Sequence, residues 1–76
     1  MDEATLKDYL VRHDEDFRQL AEQHQEYERQ LEELTQKPYL NESDQFQETI
    51  IKKKKLFLKD QMHLMMVRFS QEASAH

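Results

Sequence analysis

Seventy-six residues allow one small domain, below the size at which a single hydrophobic core is comfortable. Cysteine is absent, which excludes disulfides, thiolate metal sites and a cysteine nucleophile and fits a reducing cytoplasm; glycine is also absent and proline occurs once, as expected of long uninterrupted helices. A net charge of -5 argues against a dedicated nucleic-acid binder, which would usually carry a basic footprint.

The N-terminal run MDEATLKDYL is acidic and has no apolar h-region, so no signal peptide is expected. No apolar run approaches the roughly 20 residues needed to span a bilayer. Asp2 or Thr5 is placed to cap a first helix, and the early acids suit its dipole. Leu6, Leu10, His13, Phe17, Leu20, His24, Tyr27, Leu31 and Leu34 then follow at alternating steps of four and three. This heptad seam predicts one unbroken helix over about residues 4–35. Lys37-Pro38 ends it, because proline disfavours helical geometry at the residue before it and lacks a backbone donor. A turn over about residues 36–41 leads to Asn41, a good N-cap, with Leu40 just before it as an apolar staple.

A second helix is expected over about residues 42–70, followed by a frayed tail at 71–76. Its seam is Ile51, Lys55, Leu58, Met62, Met65 and Phe69. So short a connection implies antiparallel neighbours. The expected fold is all-α: two long antiparallel helices forming one helical hairpin over 1–76, with coiled-coil-like packing. Charge agrees with this folding back. Residues 1–36 carry 11 acids and 4 bases, net -7, and residues 37–76 carry 5 acids and 7 bases, net +2. The hairpin pairs Ile51 with Tyr27, Leu58 with Leu20, Met62 with Phe17 and Phe69 with Leu10. It brings Lys52 and Lys55 toward Glu22 and Glu26.

The seam leaves apolar residues over. Phe46, Ile50, Phe57 and Leu64 recur along a line roughly 100° from it, with Leu56 and Met66 on the other flank. Two helices cover one stripe of each other, so Ile50, Phe57 and Leu64 are expected in water, and such a patch marks an interaction surface. A homodimer of hairpins forming a four-helix bundle would cover it, with Lys53 and Lys54 pointing outward beside it.

Other constellations carry less chemistry. His13 and His24 stand in the seam where leucine is expected, about 16 Å apart on one helix, too far to share a metal. Each is read as a partly buried histidine, and charging both below their reference pKa of ~6.5 is expected to loosen the seam. Lys52 to Lys55 ring the helix axis rather than forming one patch. They are read as partners for the acidic first helix; nucleic-acid binding through the Lys52–Lys55 region, with Lys53 and Lys54 outward, is the alternative, and a membrane-surface helix the second. The cluster Met62, Met65 and Met66 reads as core filler. The acids Glu32-Glu33 and Asp14-Glu15-Asp16 fall on exposed faces with no enclosure to perturb them. No catalytic residue, metal site or cofactor is expected.

The run Ile51-Lys52-Lys53-Lys54-Lys55-Leu56-Phe57-Leu58-Lys59-Asp60-Gln61-Met62 resembles the signature of the YdcH-like family of small bacterial proteins. That signature is an aliphatic residue, two lysines, any residue, then Lys-Leu-x-Leu-Lys-Asp-Glu and an aliphatic residue or methionine. Phe17, Leu20, His24 and Leu31 match the family's Phe-x-x-Leu-x-x-x-His and its following leucine. The resemblance covers about residues 14 to 67. Gln61 stands where a glutamate is usual, and Phe57 is bulkier than the polar residue often found there, which strengthens the case for an extra interface. The resemblance implies a cytoplasmic bacterial helical hairpin of unassigned biochemical function, with no substrate and no catalytic residues. The function expected is that of a non-enzymatic interaction or adaptor protein.

Overall fold

Acids and amides divide the chain into its elements. In the computed structural model, which describes residues 2–74, three helices follow one another: α1 over Glu3–His13, α2 over Glu15–Thr35 and α3 over Glu42–Ser74. Asp2 opens α1 by accepting the Thr5 backbone N–H at 2.7 Å, a bond that also holds its carboxyl below the usual range. The cap satisfies a donor that the first helical turn leaves without a partner.

The run expected as one helix is two. Asp14 leaves helical geometry at φ -123° and ψ 112°. Its N–H donates to the Leu10 carbonyl at 2.8 Å and closes α1, while its carboxylate accepts the Phe17 N–H at 3.0 Å and opens α2. Charge supports the break from both sides. Arg12 and His13 occupy the last turn of α1, Glu15 and Asp16 the first turn of α2, each set matching the adjoining helix dipole. The break also removes His13 from the seam. It is exposed and stacks on Tyr9, ring centroids 4.3 Å apart.

The extended residue reverses the chain. Leu6 and Leu10 join Phe17, Met62 and Met66 in one buried cluster, and Phe17 is wholly enclosed. Tyr9 packs on Phe69 with centroids 5.3 Å apart, whereas Glu3 and Lys7 border the same groove as His24 and Lys59. From the end of α1 to its start, its neighbours on α3 therefore run from Phe69 back to Lys59. Helix α1 lies along α2 and α3 instead of prolonging α2. Met66, expected on an outer flank, is in the core because α1 covers it.

At the other end, Asn41 and Asp44 cap α3 reciprocally. Asn41 Oδ1 accepts the Asp44 N–H at 2.8 Å, and Asp44 Oδ2 accepts the Asn41 N–H at 3.3 Å, a capping box with aspartate in the usual glutamate place. Lys37 Nζ reaches Asp44 at 2.8 Å, tying the turn to the helix start and lowering the Asp44 carboxyl. The 33 residues of α3 span about 50 Å, close to the molecule's longest dimension of 53 Å. Helix α3 is the spine on which the other two lie. It continues through Gln71, Glu72 and Ala73 to Ser74, where a frayed tail was expected, since these residues include no helix breaker. Residues 75 and 76 lie outside the described residues. On its inner face Ile51, Leu58 and Met62 are buried and Lys55, Met65 and Phe69 half-buried; Leu20, His24, Tyr27, Leu31 and Leu34 of α2 are half-buried opposite.

Candidate interaction surface

Helix α3 is too long and too apolar for α1 and α2 to cover all of it. With Ile51, Leu58 and Met62 directed inward, the line through Phe46, Phe57 and Leu64 turns roughly 120–140° away. Those three side chains are 64%, 63% and 50% exposed. Leu56 and Val67 extend the apolar surface on the side away from α2. Ile50, expected in water with them, is half-buried, because it stands on the edge of the line nearest the core.

The lysines beside this surface are used differently from one another. Lys52 pairs with Glu48 one turn earlier at 3.4 Å, and Lys55 reaches across to Glu28 at 3.5 Å. Neither meets Glu22 or Glu26, the partners expected for them. Glu26 is held instead by Arg29, whose Nε donates to it at 3.0 Å and brings its carboxyl down to about 2. Arg29 also bonds Glu33, so the acidic face of α2 neutralises part of its own charge. Lys54 places its ammonium 5.9 Å from the centroid of the Tyr27 ring, a cation–π contact that the seam pattern does not reveal. Lys53 belongs to no ion pair among the described residues. Between them Tyr27, Phe57 and Leu58 floor a shallow, mostly apolar groove of about 410 Å³, rimmed by Lys53 and Lys54.

A second groove, about 340 Å³, lies where α1 crosses the other helices. Lys7, Lys55 and Lys59 converge on it around His24. His24 Nδ1 stands 3.7 Å from Glu28, and its Nε2 is buried without a hydrogen-bond partner in the protein. Burial lowers its pKa; Glu28 opposes this, but Lys55, Lys7 and Lys59 add to the depression. The surroundings therefore favour the neutral ring. Among the described residues no group of three or more His, Cys, Asp or Glu side chains gathers where a metal ion could be held. The acids Asp14, Glu15 and Asp16 are divided in role: Asp14 caps α2, Glu15 pairs with Arg18, and Asp16 is exposed.

A family model described as "Protein of unknown function (DUF465)" matches residues 17–66, from the enclosed Phe17 of α2 to the buried Met66 of α3. The chain belongs to this family. The YdcH-like proteins that residues 14 to 67 resemble are members of it. The family match spans the α2–α3 hairpin and the exposed line of α3, and leaves α1 outside. No curated protein and no solved structure matches the chain. Among the described residues no helix is long and apolar enough to cross a membrane.

Proposed function

We propose that this chain is a non-enzymatic interaction protein that self-associates through the outer face of α3, presenting a helical bundle to its surroundings. The observation that carries this reading is the exposure of Phe46, Phe57 and Leu64 along one line of the helix that spans the whole molecule. Contiguous apolar surface of this kind is stabilised by being covered. Two copies joined there would form a bundle whose centre is the two α3 helices. The lack of cysteine fits a cytoplasmic setting for it.

Nucleic-acid binding through Lys52 to Lys55 has weaker support. Lys52 and Lys55 have acidic partners within the chain, and Lys54 lies over Tyr27, which leaves Lys53 as the one of the four without such a contact among the described residues. Light scattering after gel filtration tests the self-association. The wild type is expected at twice the chain mass of 9.3 kDa, and Phe57→Glu at that mass with its helix content intact. A folded wild-type monomer at micromolar concentration overturns the reading.

A further inference from the structure

The outer face of α3 is more regular than its exposed apolar residues alone show. Phe46, Ile50, Phe57, Leu64 and Val67, with Lys53 and Asp60 in the remaining places, follow at steps of four and three throughout. This is a second heptad seam on the same helix, and its central places, Lys53, Phe57, Asp60 and Leu64, are exposed. Two of its places are charged. Lys53 and Asp60 are exposed, and neither belongs to an ion pair among the described residues. Their placement about Phe57 is symmetric to within one residue: Lys53 lies four residues before it and Asp60 three after. Ile50 and Leu64 each stand seven residues away, and Phe46 and Val67 eleven and ten. Polarity along the stripe reads the same in both directions, while charge reads with its sign inverted.

That pattern matches itself under one operation. Resting on the self-association proposed above, we infer that two copies pair antiparallel through α3, with the two-fold axis passing at Phe57. In a two-fold interface each contact occurs twice. An axis at Phe57 brings Lys53 level with the partner subunit's Asp60 to within one residue rise, about 1.5 Å. It sets Ile50 level with the partner subunit's Leu64. The groove over Tyr27 and Leu58 opens beside the axis and gives the partner subunit's Phe57 a place to enter. A parallel pairing would instead set Lys53 against the partner subunit's Lys53 and Asp60 against the partner subunit's Asp60. Like charges in two consecutive layers reject that alternative, so the same two residues select orientation as well as register.

Charge reversal and a distance measurement test this together. Lys53→Glu sets acid against acid twice, and Asp60→Lys sets base against base; each is expected to raise the dimer Kd at least about tenfold. The double variant Lys53→Glu/Asp60→Lys restores opposite charges only in the antiparallel register, and its Kd is expected within about threefold of wild type. A double variant no tighter than either single overturns the register. Because the chain has no cysteine, Ser43→Cys gives a single spin-label site, fourteen residues from Phe57 near the start of α3. Labels in an antiparallel dimer are expected about 40 Å apart, and in a parallel one within about 20 Å. A dimer with the short distance overturns the antiparallel arrangement while leaving self-association standing. A wild-type mass of 9.3 kDa overturns both.

Discussion

At the end of the molecule where α1 folds back, three helices contribute to one core: Leu6 and Leu10 from α1, Phe17 from α2, Met62 and Met66 from α3. At the turn end only α2 and α3 face each other. There Leu31, Leu34 and Leu40 are half-buried, and Phe46 stands in water. The α1 end has both more apolar residues and a third element to enclose them. Two helices shield one stripe of each other; a third closes the groove between them and makes side chains such as Phe17 fully dry. Helix α1 can close only the end it reaches, since its 11 residues extend about 16 Å along a spine three times as long.

The largest expected effect breaks that comparison directly. Phe17→Ala removes a wholly enclosed large side chain from between three helices and is expected to cost about 3–5 kcal/mol. Leu34→Ala at the turn end removes a half-buried side chain next to solvent and is expected to cost about 1 kcal/mol. Urea denaturation of both variants checks the difference. Equal losses would mean that the turn end is as well enclosed as the other, whether by α1-like packing or by a partner at the concentration used.

Much of this architecture is legible in the residue pattern. The four-and-three seam identifies the inner face of α3 and most of α2, and Pro38 with Asn41 locates the reversal between them. The break at Asp14 is hidden by the same seam, because heptad spacing reports which face a residue occupies and continues across a bend. The informative signal lies in the charges: Arg12-His13 followed by Asp14-Glu15-Asp16 places cations at a helix end and acids at a helix start. The burial of Met66 and the exposure of His13 both follow from that break. The exposed line of α3 is visible from the sequence as surplus apolar residues, whereas the Lys54–Tyr27 contact and the pairing of Lys55 with Glu28 depend on side-chain geometry across two helices.

Asp14→Ala is a smaller perturbation that sharpens the comparison. Loss of the cap to the Phe17 N–H is expected to cost about 1 kcal/mol. Alanine also favours helix more than aspartate does, which biases the chain toward joining α1 to α2. Straightening withdraws Leu6 and Leu10 from Met62 and Met66, so the variant should oxidise faster at Met66 while the turn end is unchanged. Peroxide treatment followed by peptide mass analysis reads this out. Unchanged protection of Met66 would show that Leu6 and Leu10 hold the fold-back without the cap.

The smallest effect is a pH dependence confined to the α1 end. His24 has a folded pKa below its ordinary value of 6.5, through burial first; Glu28 opposes this, and Lys55, Lys7 and Lys59 reinforce it. Its unfolded state therefore binds the proton more readily than the folded state. Stability from this group is fully present above about pH 6.5 and falls as pH drops below that value, until the folded form also protonates. Carboxylates with lowered values, Asp2, Glu26 and Asp44, act in the same direction but at lower pH, because their ordinary values lie near 4. The two windows are separable. Between pH 7 and pH 5.5 the melting temperature of the wild type should decline, and His24→Gln should flatten that part of the profile while leaving the steeper loss below pH 4.5. Hydrogen exchange should place the acid-sensitive opening in α1 and the facing part of α2, since Lys7 and Glu3 border the groove that a charged His24 would force to admit water. An opening located at the turn end instead would reverse the assignment of which end is the more tightly closed.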